Sequence, residues 1–203
     1  MSNTPKLLKA RQLHSRLFAV LVVGLVLVSA PAASPYDISR PIMLWLGYVL
    51  VIAGAMGRAY CSAFIGGRKN DVVVRQGPFS IVRNPLYVFS FLATVGISLQ
   101  SGMWTLLLLL AGSYLLYYPL VVRKEEAFLE NKFGEDYRRY MQEVPRWIPN
   151  FKLWNEPEQV DAKPKFIRRT LMDAAIFFLP FPCFVIIAGF QQAGMLPVWL
   201  TLP

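Results

Sequence analysis

An all-α integral membrane fold is predicted by three properties of the sequence. Charged residues make up 16% of the 203 residues, whereas a soluble domain carries about 25%. Hydrophobic residues make up 55%, and the mean hydropathy is +0.42. We therefore expect about five transmembrane helices. They correspond to five nearly uncharged runs, residues 17–33, 41–65, 85–99, 103–122 and 171–190.

The lengths of these runs differ in a way that predicts a hairpin. A helix needs about 20 residues to cross the hydrocarbon core, so the second, fourth and fifth runs are long enough and the first is marginal. The third run would form a helix of only roughly 22 Å. Because just Gln100, Ser101 and Gly102 separate it from the fourth run, we expect a tight helical hairpin with one short arm.

The distribution of basic residues predicts the orientation in the membrane. If the helices alternate in direction from a cytoplasmic N-terminus, 19 of the 21 Lys and Arg residues lie on the cytoplasmic face. The exceptions are Arg40, in a loop on the outside, and Arg58, inside the second run. This positive-inside pattern puts the C-terminus on the opposite side. It explains the net charge of +9 by a lipid bilayer as partner, without nucleic acid.

The N-terminal run and the metal-binding residue types allow further expectations. Basic residues, an apolar core and then VSAPAAS, residues 28–34, also resemble a cleavable signal peptide. Cys61 and Cys183 lie in apolar runs, so no disulfide framework is expected. The sole histidine, His14, lies in the basic tail. We therefore expect no metal site built from His and Cys ligands.

The chain divides into three regions on this pattern. Residues 1–65 would form two transmembrane helices, residues 66–151 a core, and residues 152–203 a linker with a C-terminal transmembrane helix. The core begins with a cytoplasmic loop, residues 66–84, whose glycines and Pro78 flank a short extended segment at residues 72–74.

A second polar segment, residues 123–151, is predicted to continue the fourth helix into the cytoplasm and fold back through an amphipathic helix. Gly134 is expected to break the first helix and Pro145 to end the next. The apolar positions recur at helical spacing: Phe128, Leu129, Phe133, Tyr137, Tyr140 and Met141.

The stretch GPFSIVRNPLYVFSF, residues 77–91, places polar side chains at the start of the third run. Pro85 suits the first position of a helix, and the unpaired N–H groups of a helix start favour an anion such as a carboxylate. Arg83 would add a cation with two parallel donors, beside Asn84. The alternative is that Arg83 only anchors the helix at the lipid head groups.

Two further groups of residues could belong to a binding site, and each also has an explanation without one. Glu125 and Glu126 follow the fourth run, beside Arg123 and Lys124. These carboxylates could hold ribose hydroxyls, an amine or a sulfonium cation, or form a solvated cluster of weak ion pairs. An aromatic group could line a pocket or form an interfacial belt: Tyr137, Tyr140, Trp147 and Phe151.

Taken together, these patterns carry a resemblance to a known family. In order, the chain reads GPF-x3-RNP-x-Y, a helical hairpin, then EE-x2-L-x3-FG-x2-Y-x2-Y-x3-VPR-x2-P. This resembles the isoprenylcysteine carboxyl methyltransferase and phospholipid methyltransferase superfamily of integral membrane enzymes. The resemblance covers about residues 66–151.

The resemblance implies that S-adenosylmethionine binds on the cytoplasmic side, between the loop before the hairpin and the helix after it. Three departures from the family pattern stand out: Asn84 in place of histidine, Phe79 in place of tyrosine, and no substrate arginine near Val121. By position, the cofactor-binding residues would be Asp71, Val72, Val73, Val74, Phe79, Arg83, Asn84, Pro85, Leu86, Tyr87 and Glu125.

The implied reaction is in-line transfer of a methyl group to a lipophilic acceptor, a prenyl or isoprenoid carboxylate or a phospholipid head group. It needs no metal. Glu126 is a candidate general base for an amine acceptor, and Arg123 and Arg146 are candidate cations for orienting a carboxylate. Two alternatives stay open: an NAD(P)H-dependent enzyme similar to membrane sterol reductases, and a small membrane protein without catalysis. The sequence does not indicate an oligomeric state.

Overall fold

The structure, a computed structural model, describes residues 17, 19–32, 37–68, 71–160 and 162–203. The expectations for His14, for the other basic residues of the N-terminal tail and for Lys69 lie outside the described residues.

The described residues are mostly helical. The elements in chain order are α1 (Ala19–Val28), β1 (Ser29–Pro31), α2 (Ser39–Ile65), α3 (Pro78–Ile81), α4 (Pro85–Gln100), α5 (Trp104–Phe133), α6 (Glu135–Glu143), a 3₁₀ turn (Phe151–Leu153), α7 (Pro164–Ala175), a second 3₁₀ turn (Ile176–Phe178), α8 (Pro180–Gln192) and β2 (Leu200–Leu202).

Three segments of the described chain are long and apolar enough to cross a membrane: α2, α5 and the segment Pro164–Gln192 that contains α7 and α8. The first and third runs form shorter apolar helices, α1 and α4. The chain is thus a helical membrane protein, and a crossing by all five runs stays a prediction. Both cysteines are free thiols, Cys61 buried and Cys183 exposed.

One short sheet accompanies the helices of the predicted all-α fold. Strands β1 and β2 form a two-stranded parallel sheet, with Ser29 opposite Leu200 and Pro31 opposite Leu202. Neither strand shows the alternation of a longer strand, and the partners lie at opposite ends of the sequence. No local turn signal connects them, so the pairing cannot be predicted from the sequence.

The predicted hairpin is present, with α4 and α5 joined at Ser101–Gly102–Met103. The more extensive contact of α4, however, is with α2. Small residues allow this close approach: a Cβ on Gly96 would lie 2.6 Å from the backbone oxygen of Gly47, and one on Gly54 would lie 2.7 Å from the Cβ of Ala93. Small residues at such contacts are typical of helix pairs in membranes.

Helix α5 confirms the expectation that the fourth run continues beyond its apolar part. It spans 30 residues through Pro119 without a break, roughly 45 Å of helix. It ends at Gly134, whose φ of 58° and ψ of −128° strongly favour glycine. Helix α6 then begins at Glu135 and ends before Pro145, as predicted.

The fifth run forms two helices instead of one. Pro180 has no N–H to donate to the carbonyl of Ile176, and Leu179 instead donates to that carbonyl at 3.2 Å, closing a 3₁₀ turn. Helix α8 restarts at Pro180.

Contacts at one end of the bundle show which helix ends lie together. Thr105, at the start of α5, donates to the backbone oxygen of Pro203 at 2.9 Å, and Arg40 lies beside Gly102. The start of α2, the α4–α5 turn and the end of the chain therefore share one end of the bundle. Antiparallel α2, α4 and α5 agree with the predicted alternation, while the membrane face of each end stays a prediction.

The α2–α4 contact predicts that Gly96→Ala destabilises the protein. The added Cβ would lie 2.6 Å and 2.8 Å from backbone atoms of Gly47 and Val51, which cannot move aside as a side chain can. Overpacking of this kind costs about 1–3 kcal/mol. Thermal unfolding in detergent micelles measures the change.

The matched control is Gly112→Ala on α5, where an added Cβ meets nothing within 4 Å. Its melting temperature should stay within about a degree of the wild-type value, a free-energy change below about 0.5 kcal/mol. Equal melting temperatures for the two variants would contradict the proposed helix contact.

Candidate active site

A cavity of about 330 Å³ lies at the end of the bundle opposite the chain terminus, between α2, α4, α5, α6 and the loop before α3. Ten of the eleven residues predicted to bind the cofactor line it: Val72, Val73, Val74, Phe79, Arg83, Asn84, Pro85, Leu86, Tyr87 and Glu125. Asp71 does not line it and is exposed.

The loop at residues 72–74 reaches the cavity without forming a strand. Residues 72–74 belong to no helix or sheet, and their extended conformation stays a prediction. Two of their side chains pack against different clusters. Val73 packs against the buried cluster that contains Tyr137 and Tyr140 on α6, whereas Val74 packs against the buried cluster of Cys61, Phe64 and Phe79.

The short helix α3 is enclosed by the chain that follows α6. Asn150 donates its backbone N–H to Ile81 at 2.9 Å, and Gly77 donates to Asn155 at 2.7 Å. The hydroxyl of Ser80 accepts from the N–H of Asn155 at 3.0 Å. These bonds fix the position from which Arg83 and Asn84 enter the cavity.

A buried ion-pair cluster surrounds Glu126, whose side chain is 4% exposed. Arg146 Nη2 lies 2.7 Å from Glu126 Oε2, and Arg83 Nε lies 3.3 Å from Oε1. Asn84 donates its amide to Oε1 at 3.0 Å. The cluster therefore ties the start of α4 to α5 and to the segment after α6, and two cations share one carboxylate.

The three residues predicted to be catalytic do not line the cavity. Glu126 and Arg146 belong to the ion-pair cluster, and Arg123 is exposed on α5. Their catalytic roles stay predictions. The observed contacts favour a positioning role for Glu126 and Arg146, because they hold Arg83 and Asn84 in place.

Glu125 faces the cavity and is held by aromatic residues. The hydroxyl of Tyr87 donates to Glu125 Oε2 at 2.9 Å. The hydroxyl of Tyr114 donates to the backbone oxygen of Tyr87 at 2.8 Å, and the Tyr114 ring stacks on Tyr118 with 3.8 Å between centroids. The carboxylate therefore has a defined position at the cavity wall.

Arg58 is a cavity residue for which the sequence analysis proposed no role. It lies on α2 inside an apolar run, lines the cavity, and donates from Nη1 to the hydroxyl of Ser90. Its Nε is buried without a hydrogen-bond partner among the described residues, and its guanidinium lies 5.7 Å from the ring centroid of Phe177. The signal in the sequence was the charge itself, because a cation within a membrane span is costly.

The aromatic residues after α5 divide into two groups. Tyr137 and Tyr140 are buried and line the cavity, as expected for a pocket. Trp147 and Phe151 do not line it, and Phe151 is 74% exposed. The hydroxyl of Tyr140 donates to the backbone oxygen of Phe79 at 2.8 Å, which joins α6 to α3. Burial raises the pKa of both tyrosines above the ordinary value of 10.0.

Comparison with known proteins identifies the family. The family model described as phospholipid methyltransferase matches residues 41–136. The chain is 31% identical over 165 residues to the cobalt-zinc-cadmium resistance protein CzcN of Cupriavidus metallidurans, a match covering 80% of this chain and 74% of the relative. It is also 31% identical over 81 residues to the protein-S-isoprenylcysteine O-methyltransferase of Schizosaccharomyces pombe, covering 40% of this chain and 34% of that protein. The chain belongs to the isoprenylcysteine carboxyl methyltransferase and phospholipid methyltransferase superfamily.

A second metal-resistance protein is similar to most of the chain. The nickel-cobalt-cadmium resistance protein NccN of Alcaligenes xylosoxydans xylosoxydans is 31% identical over 162 residues, or 79% of this chain and 75% of that protein. No solved structure matches the chain. The residues matched by the family model include all the residues that line the cavity except Tyr137 and Tyr140.

The departures from the superfamily pattern have structural consequences. Asn84 donates to Glu126 and, at 3.4 Å, to the backbone oxygen of Arg146, so the amide supplies a donor without adding a charge. Phe79 packs in an apolar cluster with Cys61 and Phe64, where a phenyl ring needs no polar partner.

The buried hydroxyl of Tyr140 predicts a loss of stability at alkaline pH. A group whose pKa is raised by folding stabilises the fold fully below its unfolded pKa, and this contribution is lost as the pH rises through the folded pKa. The wild-type melting temperature in detergent should therefore fall as the pH increases above 10.0. At neutral pH Tyr140→Phe should have a lower melting temperature, because losing the hydrogen bond costs about 1 kcal/mol of unfolding free energy. Above pH 10.0 its melting temperature should fall less steeply than that of the wild type.

Tyr117→Phe is the control, since Tyr117 is exposed on α5. It should reproduce the wild-type melting curve at each pH. The assignment to Tyr140 is incorrect if its variant declines with pH as steeply as the wild type does.

Proposed function

We propose that the protein is an S-adenosylmethionine-dependent methyltransferase acting on a lipophilic acceptor dissolved in the membrane. The observation that carries this proposal is that both halves of the superfamily motif line one cavity. Residues 83–87 contribute from α4 and its preceding turn, and Glu125 contributes from α5. We further propose that this end of the bundle faces the cytoplasm, where the soluble cofactor is available, in agreement with the distribution of basic residues.

The residues around the cavity fit the polar groups of S-adenosylmethionine. Arg83, Arg146 and Glu126 carry a net positive charge together, which favours the carboxylate of the methionine moiety near Arg83. Glu125, fixed by the Tyr87 hydroxyl, is suited to the ammonium group or the ribose hydroxyls. Apolar side chains of the cavity are suited to the adenine ring: Val74, Phe79, Leu129 and Phe133.

The protein's contribution to catalysis would be alignment and the exclusion of water. When bound, S-adenosylmethionine supplies a methyl group activated by its sulfonium. In this proposal Glu126 and Arg146 position Arg83 and Asn84 instead of exchanging protons. The half-buried ring of Tyr87 and the loop at residues 72–74 would shield the reacting groups from solvent.

Arg58 favours an anionic acceptor. It lies seven residues, or about two helical turns, before the end of α2, so it faces the deeper part of the cavity with Ser90. The structure brings no carboxylate of the described residues within ion-pair distance of Arg58. A carboxylate acceptor would supply the missing anion, and it has no proton to lose, so its methylation requires no general base.

The proposed reaction is tested by transfer of labelled methyl groups from S-adenosylmethionine into membranes that contain the protein. Label should appear in an organic-extractable acceptor. Glu125→Gln should weaken cofactor binding about tenfold or more, because it removes the charge from a hydrogen-bonded carboxylate. Binding to the purified protein measures this step separately from transfer.

The matched control is Glu130→Gln on the same helix, since Glu130 pairs with Arg138 and does not line the cavity. It should bind and transfer as the wild type does. An absence of label from lipid, protein and volatile fractions with folded protein present would contradict the proposal. Binding of NADPH would then favour the reductase-like alternative, and binding of neither cofactor the non-catalytic one.

The role of Arg58 predicts a difference between acceptor classes. Arg58→Gln should lower kcat/KM for a prenylated carboxylic acid about 10- to 100-fold, the effect of losing a hydrogen bond to a charged group, while S-adenosylmethionine affinity stays unchanged. Arg58→Lys should recover part of the activity. Methylation of phosphatidylethanolamine by wild type and Arg58→Gln at equal rates would instead identify an amine acceptor.

A further inference from the structure

A second cavity, of about 340 Å³, lies at the other end of the bundle. It is formed by the end of α1, strand β1, the start of α2, the α4–α5 turn and α8. On α2 its residue Arg40 is separated from Arg58 of the first cavity by 18 residues of helix, roughly 27 Å. The two cavities therefore lie towards opposite ends of the membrane-spanning helix α2.

The walls of the second cavity are mostly apolar, and three of its five polar side chains lie on or beside the α4–α5 turn. The apolar residues include Leu44, Leu99, Met103, Phe181, Phe184 and Ile187. The polar side chains are those of Ser29, Arg40, Gln100, Ser101 and Gln191. A lining of this kind, apolar with a few grouped polar atoms, is typical of a binding site for an amphipathic molecule.

Two of these polar side chains, from Ser29 and Gln100, each bury one polar atom that has no partner among the described residues. Ser29 is 3% exposed and Gln100 is 8% exposed. Neither Ser29 Oγ nor Gln100 Oε1 has a hydrogen-bond partner among the described residues. Burial of an unpaired polar group is costly, and such groups in native proteins are as a rule paired. Because Oε1 of an amide only accepts, its missing partner must supply a hydrogen-bond donor.

Arg40 adds an uncompensated positive charge. It is partly buried, lies beside the α4–α5 turn, and none of the ion pairs in the described part of the chain includes it. Together with Arg58 it is one of the two basic residues outside the predicted cytoplasmic clusters. The positive-inside pattern therefore does not explain the charge of Arg40, whereas an anion bound at the cavity would explain it.

We propose that this cavity binds the head group of an anionic phospholipid that carries hydroxyl groups, as phosphatidylglycerol does. Arg40 pairs with the phosphate, Gln100 Oε1 accepts from a head-group hydroxyl, and the acyl chains lie along α8 and α2. A lipid explains the apolar walls, which continue onto exposed apolar residues of α8 such as Val185 and Ile186. A choline head group has no donor for Gln100, and an ethanolamine group brings a second cation towards Arg40.

Competition between lipids tests the proposal on the unaltered protein. Purified full-length protein in a mild detergent is mixed with phosphatidylglycerol, phosphatidylmethanol and phosphatidylcholine of equal acyl chains, and native mass spectrometry counts the retained lipids. Phosphatidylglycerol should be retained about tenfold over phosphatidylcholine, the effect of a charge-assisted hydrogen bond. Phosphatidylmethanol, anionic but without a hydroxyl, should rank between them. Equal retention of all three overturns the proposal.

Variants connect the preference to the residues. Arg40→Gln should reduce phosphatidylglycerol retention to the level of phosphatidylcholine, and Arg40→Lys should keep most of the preference. Gln100→Met should abolish the distinction between phosphatidylglycerol and phosphatidylmethanol. Arg139→Gln is the control, because Arg139 is exposed on α6 at the other end of the bundle, and it should retain lipid as the wild type does.

A separate arm distinguishes a lipid from a free anion. Inorganic phosphate is added to the delipidated protein, and the melting temperature is followed. The proposal expects no stabilisation by phosphate and a clear stabilisation by phosphatidylglycerol that Arg40→Gln removes. Equal stabilisation by phosphate alone would establish an anion site instead and overturn the lipid assignment.

Discussion

The buried carboxylate of Glu126 is the interaction on which the candidate site depends. It lies between Arg83 and Arg146 and accepts from Asn84, so three segments distant in sequence meet at one side chain. Loss of the Glu126 carboxylate would leave the largely buried Arg83 without its ion-pair partner, and breaking a buried pair in this way costs about 3–5 kcal/mol. The position of Arg83 at the cavity is therefore coupled to the fold of the segment after α6, and not only to the start of α4.

This cluster also explains why an asparagine is suited to position 84, where the superfamily pattern has a histidine. A protonated histidine there would bring a third cation to a carboxylate that Arg83 and Arg146 already share. The amide of Asn84 donates to Glu126 at 3.0 Å without a charge and without titration near neutral pH. The asparagine thus supplies a hydrogen-bond donor to Glu126 and adds no titratable group of its own to the cluster.

Local signals in the sequence were sufficient for the features they control. Periodic apolar residues and Gly134 predicted the long α5 and its reversal into α6, because helix propagation and helix termination depend on neighbouring residues. The pairing of Ser29 with Leu200 could not be predicted, since no local pattern connects the two strands. The ion-paired state of Glu126 could not be predicted either, because it depends on tertiary contacts. The sequence shows the carboxylate, which suggested a general base, but only the fold brings Arg83 and Arg146 to it.

Arg40 and Arg58 lie at different ends of the molecule, and the same physical argument applies to the charge of each. The positive-inside rule explains a basic residue on the cytoplasmic side without any functional role. Such a residue is therefore weak evidence for a binding site. A cation within a membrane span or on the far side has no such explanation and must be compensated. Each of these two arginines lines a cavity that contains a buried polar atom without a hydrogen-bond partner among the described residues. The cations that topology does not explain are thus those at which an anionic ligand is expected, a lipophilic acid at Arg58 and a phospholipid head group at Arg40.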